Sequence, residues 1–339
     1  MLKNKEILFK IPKTVYKWLF FLFLILDAIG LGLSQLLEKI ELFDISATYN
    51  SILAIIPPIV PFTEKYILVF IGLTIFFLVM WLYRPHLLLL KHVSFSPEIA
   101  KVEPDFLKEY YAKIIEINEC QEMSQQTNNT INAAVAYQDK IIDKVKLKIK
   151  KNNLCYYGIA HTPLVFRLGF KLGDQSNLKF LHKLRSNESL FQEWTSGQTY
   201  AAIQSDESNE TADSQELIVS ISTSLEIKEE DLISLKSYDK HILMFKTNSF
   251  SFDNITSYVV AENCRNGIMI KIRECVKKYH IKKIHLVISS SVAFTFFLGQ
   301  AFSAQHDPIT VVYHYQNNEY SWGICINEIP ENAVVINNV

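Results

Sequence analysis

One stretch of this 339-residue chain occurs twice. GIAHTPLVFRLGFKL (Gly158–Leu172) and ISSSVAFTFFLGQAF (Ile288–Phe302) superimpose at an offset of 130, which aligns Phe166 with Phe296 and Leu168-Gly169 with Leu298-Gly299. The surroundings repeat too. KFLHKL (179–184) follows the first copy and ITVVYHY (309–315) the second, with Trp194 and Trp322 beyond them. Upstream, HLLLLKHVSFS (86–96) and QELIVSISTS (215–224) are both β-rich runs that end in Ser. Two copies of one supersecondary unit restrict the fold more than any single motif, because each copy must bury the same face.

Periodicity and breakers sketch each unit. The first is expected to hold a strand at 87–93, helices near 105–119 and 131–150, a strand at 154–159, a helix at 162–172, and strands near 178–184 and 190–194. The second is expected to hold a strand near 217–223, a helix near 227–236, a strand at 241–246 and a long helix around 255–279. A strand at 283–289, a helix at 291–303 and strands at 309–315 and 320–326 complete it. Apolar strands alternating with helices predict an α/β fold of two Rossmann-like units, each with a mostly parallel sheet covered on both faces. The polar stretch 195–216 reads as a linker between the copies.

Ahead of the repeat lie two apolar runs. Trp18–Leu37 has 20 residues, about 30 Å as a helix, and Tyr66–Tyr83 has 18. Aromatic residues stand at their ends (Trp18, Tyr66, Trp81, Tyr83), where amphipathic rings meet lipid headgroups. Two membrane-spanning helices are expected. A cleaved signal peptide is disfavoured because the first run is too long and no small-x-small site follows it. Lys3, Lys5, Lys10, Lys13 and Lys17 precede the first run and Arg84 and Lys91 follow the second, so both termini are expected on the cytoplasmic side of the membrane. The expected organisation is a transmembrane region 1–84, a first half 85–200 and a second half 201–339. Asp27 lies in the middle of the first run, with Gly30 and Gly32 nearby. An ionised carboxylate there costs several kcal/mol unless it meets a partner or water. Asp27 therefore either faces an oligomeric interior or water path, or is protonated or snorkelling.

In open parallel sheets, ligands bind beyond the carboxyl ends of the strands. Those ends read His92-Val93-Ser94-Phe95-Ser96, Ala160-His161-Thr162-Pro163, Ser222-Thr223-Ser224 and Ser289-Ser290-Ser291. Any one such cluster can simply cap a helix. Four at equivalent places in two copies point to a paired anion site at helix N-termini. His92, Ser94, His161, Thr162, Pro163, Ser222, Ser224, Ser289, Ser290 and Ser291 are therefore candidate ligand contacts. Lys183 and Arg185, with His182, are candidates for phosphate. Trp194 and Tyr320, with Tyr315 and Trp322, are candidates for base stacking, although each ring can equally be core.

A net charge of −1 argues against coating duplex nucleic acid. Cys120, Cys155, Cys264, Cys275 and Cys325 are scattered, with no C-x-x-C pair, so neither a zinc site nor a disulfide framework is expected. No P-loop, dinucleotide fingerprint, nucleophile elbow or H-E-x-x-H occurs, and ten glycines leave little room for phosphate-cradling loops. The expectation is a binding protein without catalytic residues, metal or cofactor. A membrane-anchored nucleotide-processing enzyme and a constitutive scaffold stand as alternatives.

YYGIAHTPLVFRLGFKLGD (156–174) with KFLHKLRSNESLFQEW (179–194), and HLVISSSVAFTFFLGQAF (285–302) with PITVVYHYQNNEYSW (308–322), resemble the SAVED domain over roughly 86–339. The resemblance implies two fused CARF-like units that sense a cyclic oligonucleotide in bacterial antiphage (CBASS) signalling. It implies as ligand a cyclic di- or trinucleotide made by a partner nucleotidyltransferase and lying across both copies. The paired apolar runs resemble the two-helix membrane effectors of such systems. His161, Thr162 and Pro163 match the first-copy turn and Ser289, Ser290 and Ser291 the second. Ser291 stands where the first copy has His161, and Ala293 where it has Pro163, so contacts to the two halves of the ligand are expected to be unequal. The implied mechanism is ligand-induced homo-oligomerisation, extending to a filament, that clusters the helices in the lipid bilayer, breaches the membrane and aborts infection. A ring nuclease that degrades the same messenger is the enzymatic alternative.

Overall fold

A computed structural model of the chain describes residues 15, 17–24, 71–79, 87–96, 98, 113–149, 153–174, 178–183, 191–197, 203–208, 214–235, 237–328 and 334–336. The chain forms two compact units, one of Met1–His86 with Asp105–Tyr111 and one comprising the rest. In the first, residues 17–24 and 71–79 are helical and the rings of Phe23 and Phe77 stack at 5.3 Å. Trp18, Leu22, Ile75 and Phe76 of these segments are exposed. The expected spans 18–37 and 66–83 fall largely outside the described residues, as does Asp27. Among the described residues no helix is long and apolar enough to cross a membrane.

The second unit holds both copies of the repeat. LLLLKHV and KIHLVIS are near-continuous apolar runs, the pattern of strands buried on both faces, and they form β1 (Leu87–Val93) and β9 (Lys283–Ser289). Around β1 the chain adds β2 (Lys113–Asn118), β3 (Asn153–Ile159), β4 (Leu178–Lys183) and β5 (Phe191–Glu193), in the order β2-β1-β3-β4-β5. The second sheet contains β6 (Ile203–Ser208), β7 (Glu216–Ser222), β8 (His241–Thr247), β9, β10 (Ile309–Gln316), β11 (Glu319–Cys325) and β12 (Val334–Ile336). Its order is β12-β11-β10-β9-β7-β8-β6. Within it, β8-β7-β9-β10-β11 repeats the first sheet's order and directions, four parallel strands and one antiparallel. The helices repeat as well: α1 (Asn128–Ile149) and α3 (Tyr258–Tyr279) are both 22 residues long, and α2 (Thr162–Leu172) and α4 (Val292–Gly299) follow β3 and β9.

The two-copy, mostly parallel α/β architecture is thus present, with local corrections. Residues 113–118, expected to be helical, form edge strand β2, because the charged alternation of KIIEIN suits a half-covered edge. Residues 229–235 are a 3₁₀ segment, a tighter turn than the α-helix expected there. The polar linker 195–216 contains β6, which pairs antiparallel with β8 and closes that edge of the second sheet.

α2 and α4 lie at the centre and pack on each other. The two helices start at equivalent strand ends and touch reciprocally. A Cβ on Gly169 would stand 2.0 Å from the Phe296 carbonyl oxygen, and one on Gly299 would stand 2.3 Å from that of Phe166. Reciprocity between residues 130 apart is the mark of a pseudo-twofold axis through the crossing. Tyr156, Phe166, Phe180, Phe296 and Phe302 form an aromatic shell around it, with Tyr156 and Phe296 at 4.3 Å and Phe166 and Phe302 at 5.1 Å.

Gly169→Ala and Gly299→Ala should each cost ~2–3 kcal/mol or more, since backbone has to move to admit the methyl. Gly267→Ala on α3 should instead stabilise by ~0.5–1 kcal/mol, because its Cβ meets only Ile203 Cγ2 at 3.8 Å and a helix interior favours alanine over glycine. Urea unfolding of the detergent-solubilised chain reads both signs.

Candidate ligand site between the two halves

The strand register fixes which residues are equivalent at the C-terminal edges of the two sheets. His92 pairs with Gly158 and Ile221 with Ile288, so Ser94 corresponds to Thr223 and Phe95 to Ser224. Leu154 pairs with Leu178 and Ile284 with Thr310, so His182 corresponds to His314. His161 and Ser291 are the N-caps of α2 and α4. Each half-site is built where the helix N-terminus of one half meets the strand ends of the other.

One half-site is open. A cleft of about 90 Å³ is lined by Gly158, Ile159, Leu181, His182 and Lys183 of the first half and by Phe252, Ser290, Ser291, Val292 and Ala293 of the second. Ser291 Oγ accepts from Phe294 N–H at 3.3 Å, the local cap that begins α4. Ser290 Oγ lies 2.7 Å from Thr223 Oγ1, and Ser289 Oγ accepts from Leu225 N–H at 3.0 Å. His182 Nε2 donates to Asp253 Oδ1 at 2.6 Å, a bond from the first half to the β8–α3 loop of the second. Asn254 Nδ2 ties that loop to the Thr223 carbonyl at 2.8 Å. Hydroxyls, an imidazole and a lysine at a helix N-terminus suit an anion, and one carboxylate already occupies the imidazole.

The other half-site is filled. His161 is buried beneath Phe95, with ring centroids 3.9 Å apart, and its edge meets His314 at 4.7 Å and Trp322 at 5.8 Å. Trp322 Nε1 donates to Gln126 Oε1 (3.1 Å), which turns the Gln126 amide nitrogen toward His161 Nε2 (3.4 Å) as donor and leaves His161 Nδ1–H to bond Ser94 Oγ (2.5 Å). Ser94 Oγ also accepts the His161 backbone N–H at 2.7 Å. Burial, then the neighbouring His314 and His92, pulls His161 down to about 3, and burial pulls His314 down to about 4, so both imidazoles are neutral at pH 7.

Of the residues chosen from sequence, His161, Lys183, Ser290 and Ser291 line or back the two half-sites, and Ser94 and Ser289 hold their loops. Thr162 opens α2, and Pro163 is buried in its first turn, where a missing N–H costs nothing. His92 has no open face. It is fully buried, with Nε2 2.9 Å from Glu119 Oε2 and Nδ1 3.1 Å from the Tyr156 hydroxyl. Ser222 is buried and accepts from Ile227 N–H, and Ser224 is likewise buried. Trp194 and Tyr320 are buried at 3% exposure, so neither presents a face to a base. Trp194 instead packs on Phe180, Tyr258 and Phe297 at the seam between halves. Arg185 lies outside the described residues. Sequence reasoning passed over Phe95, Gln126, Asp253 and His314. Aligning LHK of β4 with YHY of β10 exposes the His182–His314 equivalence, but its offset is 132, whereas the segment Gly158–Leu172 that reveals the repeat runs at 130. No local signal marks Asp253.

The model of the SAVED family, described as the SMODS-associated and fused to various effectors sensor domain, matches residues 137–326, more than half of the chain. This chain belongs to the SAVED family. The match begins inside α1, and β1 and β2 complete the first half by topology. No curated protein matches the chain. Among solved structures, an Acinetobacter baumannii Cap4 SAVED/CARF-domain receptor with the cyclic trinucleotide 3'3'3'-cAAA is similar at TM-score 0.50 and 16% identity. The alignment covers 75% of this chain and 54% of that one. The same receptor with 2'3'3'-cAAA gives 0.49 and 15% over 75% and 54%, and the Moraxella osloensis Cap4 receptor 0.47 and 15% over 74% and 52%. The chain thus spans about half the length of the receptors it matches. The shared fold is the tandem one expected of a SAVED domain.

Neutral buried imidazoles have a consequence for stability. His285, buried beside Tyr313, is also pulled down, to about 4. The folded pKa values of His161, His314 and His285 lie below the ~6.5 of an unfolded histidine. Below pH ~6.5 the unfolded chain therefore takes up protons that the folded chain refuses, and stability falls as pH falls. Each histidine contributes up to ~1.4 kcal/mol per pH unit over that window. Urea midpoints measured from pH 7 to pH 5 should drop, and His314→Gln should flatten the slope.

Proposed function

We propose that this chain is a membrane-anchored sensor of a cyclic oligonucleotide and the effector of a CBASS-type antiphage response. The observation that carries the reading is the cleft to one side of the pseudo-twofold, where His182 and Lys183 of one SAVED half meet Ser290 and Ser291 at the α4 N-terminus of the other. A cleft of about 90 Å³ takes one phosphate or one base edge of such a ligand, whose remainder extends over both halves. Membership of a sensor family supports the reading, as does a fold shared with a receptor solved with a cyclic trinucleotide. A chain with net charge −1 gains little from bulk attraction to polyanions, so recognition falls to placed groups of this kind.

Anchoring in the bacterial inner membrane, with both termini cytoplasmic, is supported by the two apolar runs and by the exposed Trp18, Leu22, Ile75 and Phe76 on their described portions. In this mechanism a partner nucleotidyltransferase makes the messenger. Binding orders the two halves, SAVED domains associate into a homo-oligomer, and the clustered membrane segments, with Asp27 inward, disrupt the bilayer. The protein transmits a signal without catalysis, and the ligand is recovered intact.

Calorimetry on the detergent-solubilised chain against cyclic di- and trinucleotides, beginning with 3'3'3'-cAAA, tests the reading, with light scattering on the same samples. Tight binding of one member with growth in particle size is the expected result. Binding of none removes the sensor reading. Asp253→Asn should tighten binding about tenfold, ~1.4 kcal/mol, because it takes a carboxylate away from the anion's imidazole. An unchanged Kd for this variant would place the ligand elsewhere.

A further inference from the structure

Phe95 is 48% exposed, two residues beyond the end of a strand whose apolar side chains are all buried. Its position is nonetheless fixed. The ring lies on His161 with planes 26° apart, and His161 is held through Ser94 on one side and through Gln126 and Trp322 on the other. His314 flanks the pair, 6.2 Å from Phe95. The result is a rigid flat apolar surface resting on an imidazole, with about half of the phenylalanine open to solvent.

Its place in the fold says what it faces. By register Phe95 corresponds to Ser224, and as helix N-cap His161 corresponds to Ser291, a wall of the open cleft. The stack therefore stands at the position that the pseudo-twofold relates to the cleft, and a ligand lying across both halves meets the two surfaces with different parts of itself. The cleft offers hydroxyls, His182 and Lys183, which suit a phosphate. The stack offers a π face backed by a neutral imidazole, which gives a phosphate nothing and a planar base a stacking surface.

We propose that the Phe95–His161 stack is a nucleobase subsite, on which one purine of the cyclic oligonucleotide lies against the exposed face of Phe95. The proposal rests on the cyclic-oligonucleotide reading and adds the division of labour between half-sites: phosphate at the cleft, base at the stack. It also replaces Trp194 and Tyr320, the buried rings, with one that a base can reach.

The test is calorimetric titration of the detergent-solubilised wild type and of Phe95→Ala, Phe95→Leu and Phe95→Trp with 3'3'3'-cAAA or whichever cyclic di- or trinucleotide the wild type binds. Stacking predicts that Phe95→Ala weakens binding about tenfold or more. Phe95→Leu, which keeps an apolar side chain but has no π face, should lose nearly as much. Phe95→Trp should bind at least as tightly as wild type, with its indole fluorescence quenched at the calorimetric midpoint. Wild-type affinity in Phe95→Leu would overturn the subsite, leaving only hydrophobic packing. Tighter binding by Phe95→Ala would also overturn it, by showing that the ring blocks the site. Either result leaves the sensor reading standing, whereas a wild type that binds no member of the panel removes both. Thermal melts of all four proteins separate loss of binding from loss of fold.

Discussion

The crossing of α2 and α4 is the contact on which the rest of the second unit depends. Ordinary helix pairs stand 8–10 Å apart, held off by side chains. Here Gly169 sets against the Phe296 carbonyl and Gly299 against that of Phe166, so each backbone comes within reach of the other. Both helices begin at strand ends, so the depth of the crossing sets how far apart their N-termini stand and therefore the spacing of the half-sites. The aromatic shell of Tyr156, Phe166, Phe180, Phe296 and Phe302 closes the remaining space and binds both sheets into one core.

Equivalent backbone positions carry unlike side chains at the edge of that core. His182 bonds to Asp253 while its counterpart His314 packs on His161. Ser291 lines a cleft while its counterpart His161 lies under Phe95. Positions at the α2–α4 crossing, Phe166 with Phe296 and Gly169 with Gly299, are constrained twice, by their own half and by the partner helix, and so stay alike. Strand-end positions face solvent or ligand and are free to diverge. An asymmetric recognition surface on a symmetric scaffold follows without any change of fold.

The duplication was legible because its carriers, Phe-x-Leu-Gly in both copies, are the residues that the crossing demands. Strand runs such as LLLLKHV announced their burial through unbroken apolarity. Edge strands were not legible: KIIEIN and IQSDES have the alternation or polarity of surface segments, and only pairing with β1 and β8 makes them strands. The hydroxyl and histidine clusters picked out in sequence fall at the C-terminal ends of β1, β3, β7 and β9, beside the cleft and the stack. Burial then divided them. Trp194 and Tyr320 look available in sequence because aromatic character is local, whereas exposure is set by elements far along the chain, as when Trp194 meets Tyr258 and Phe297.

The two halves also differ in how their central helices are held. In the first, a buried polar chain runs from His92 to Glu119, from Gln138 to Glu119 and to the Leu164 carbonyl, and from Arg167 to Gln138 and Asp139. By register His92 corresponds to Ile221 in the second half, and at the offset of 130 that relates the helices Gln138 and Arg167 correspond to Ile268 and Phe297. Replacing a buried polar network by apolar residues is often neutral or favourable in energy, so net stability does not explain why the first half keeps its network. Hydrogen bonds are directional and apolar packing is not. The polar chain ties α2 to the end of β1, the same strand end that carries Ser94 and Phe95, and so fixes the orientation of the filled half-site. α4 is held by Phe294, Phe296 and Leu298 in an apolar surround, and its tie to a strand end runs instead through the loop before it, where Ser290 Oγ meets Thr223 Oγ1. The helix beneath the stack is thus tied through buried side chains of α1 and the end of β2, whereas the helix at the cleft is restrained at its N-terminal loop and packed by apolar residues, so the two half-sites rest on differently held helices.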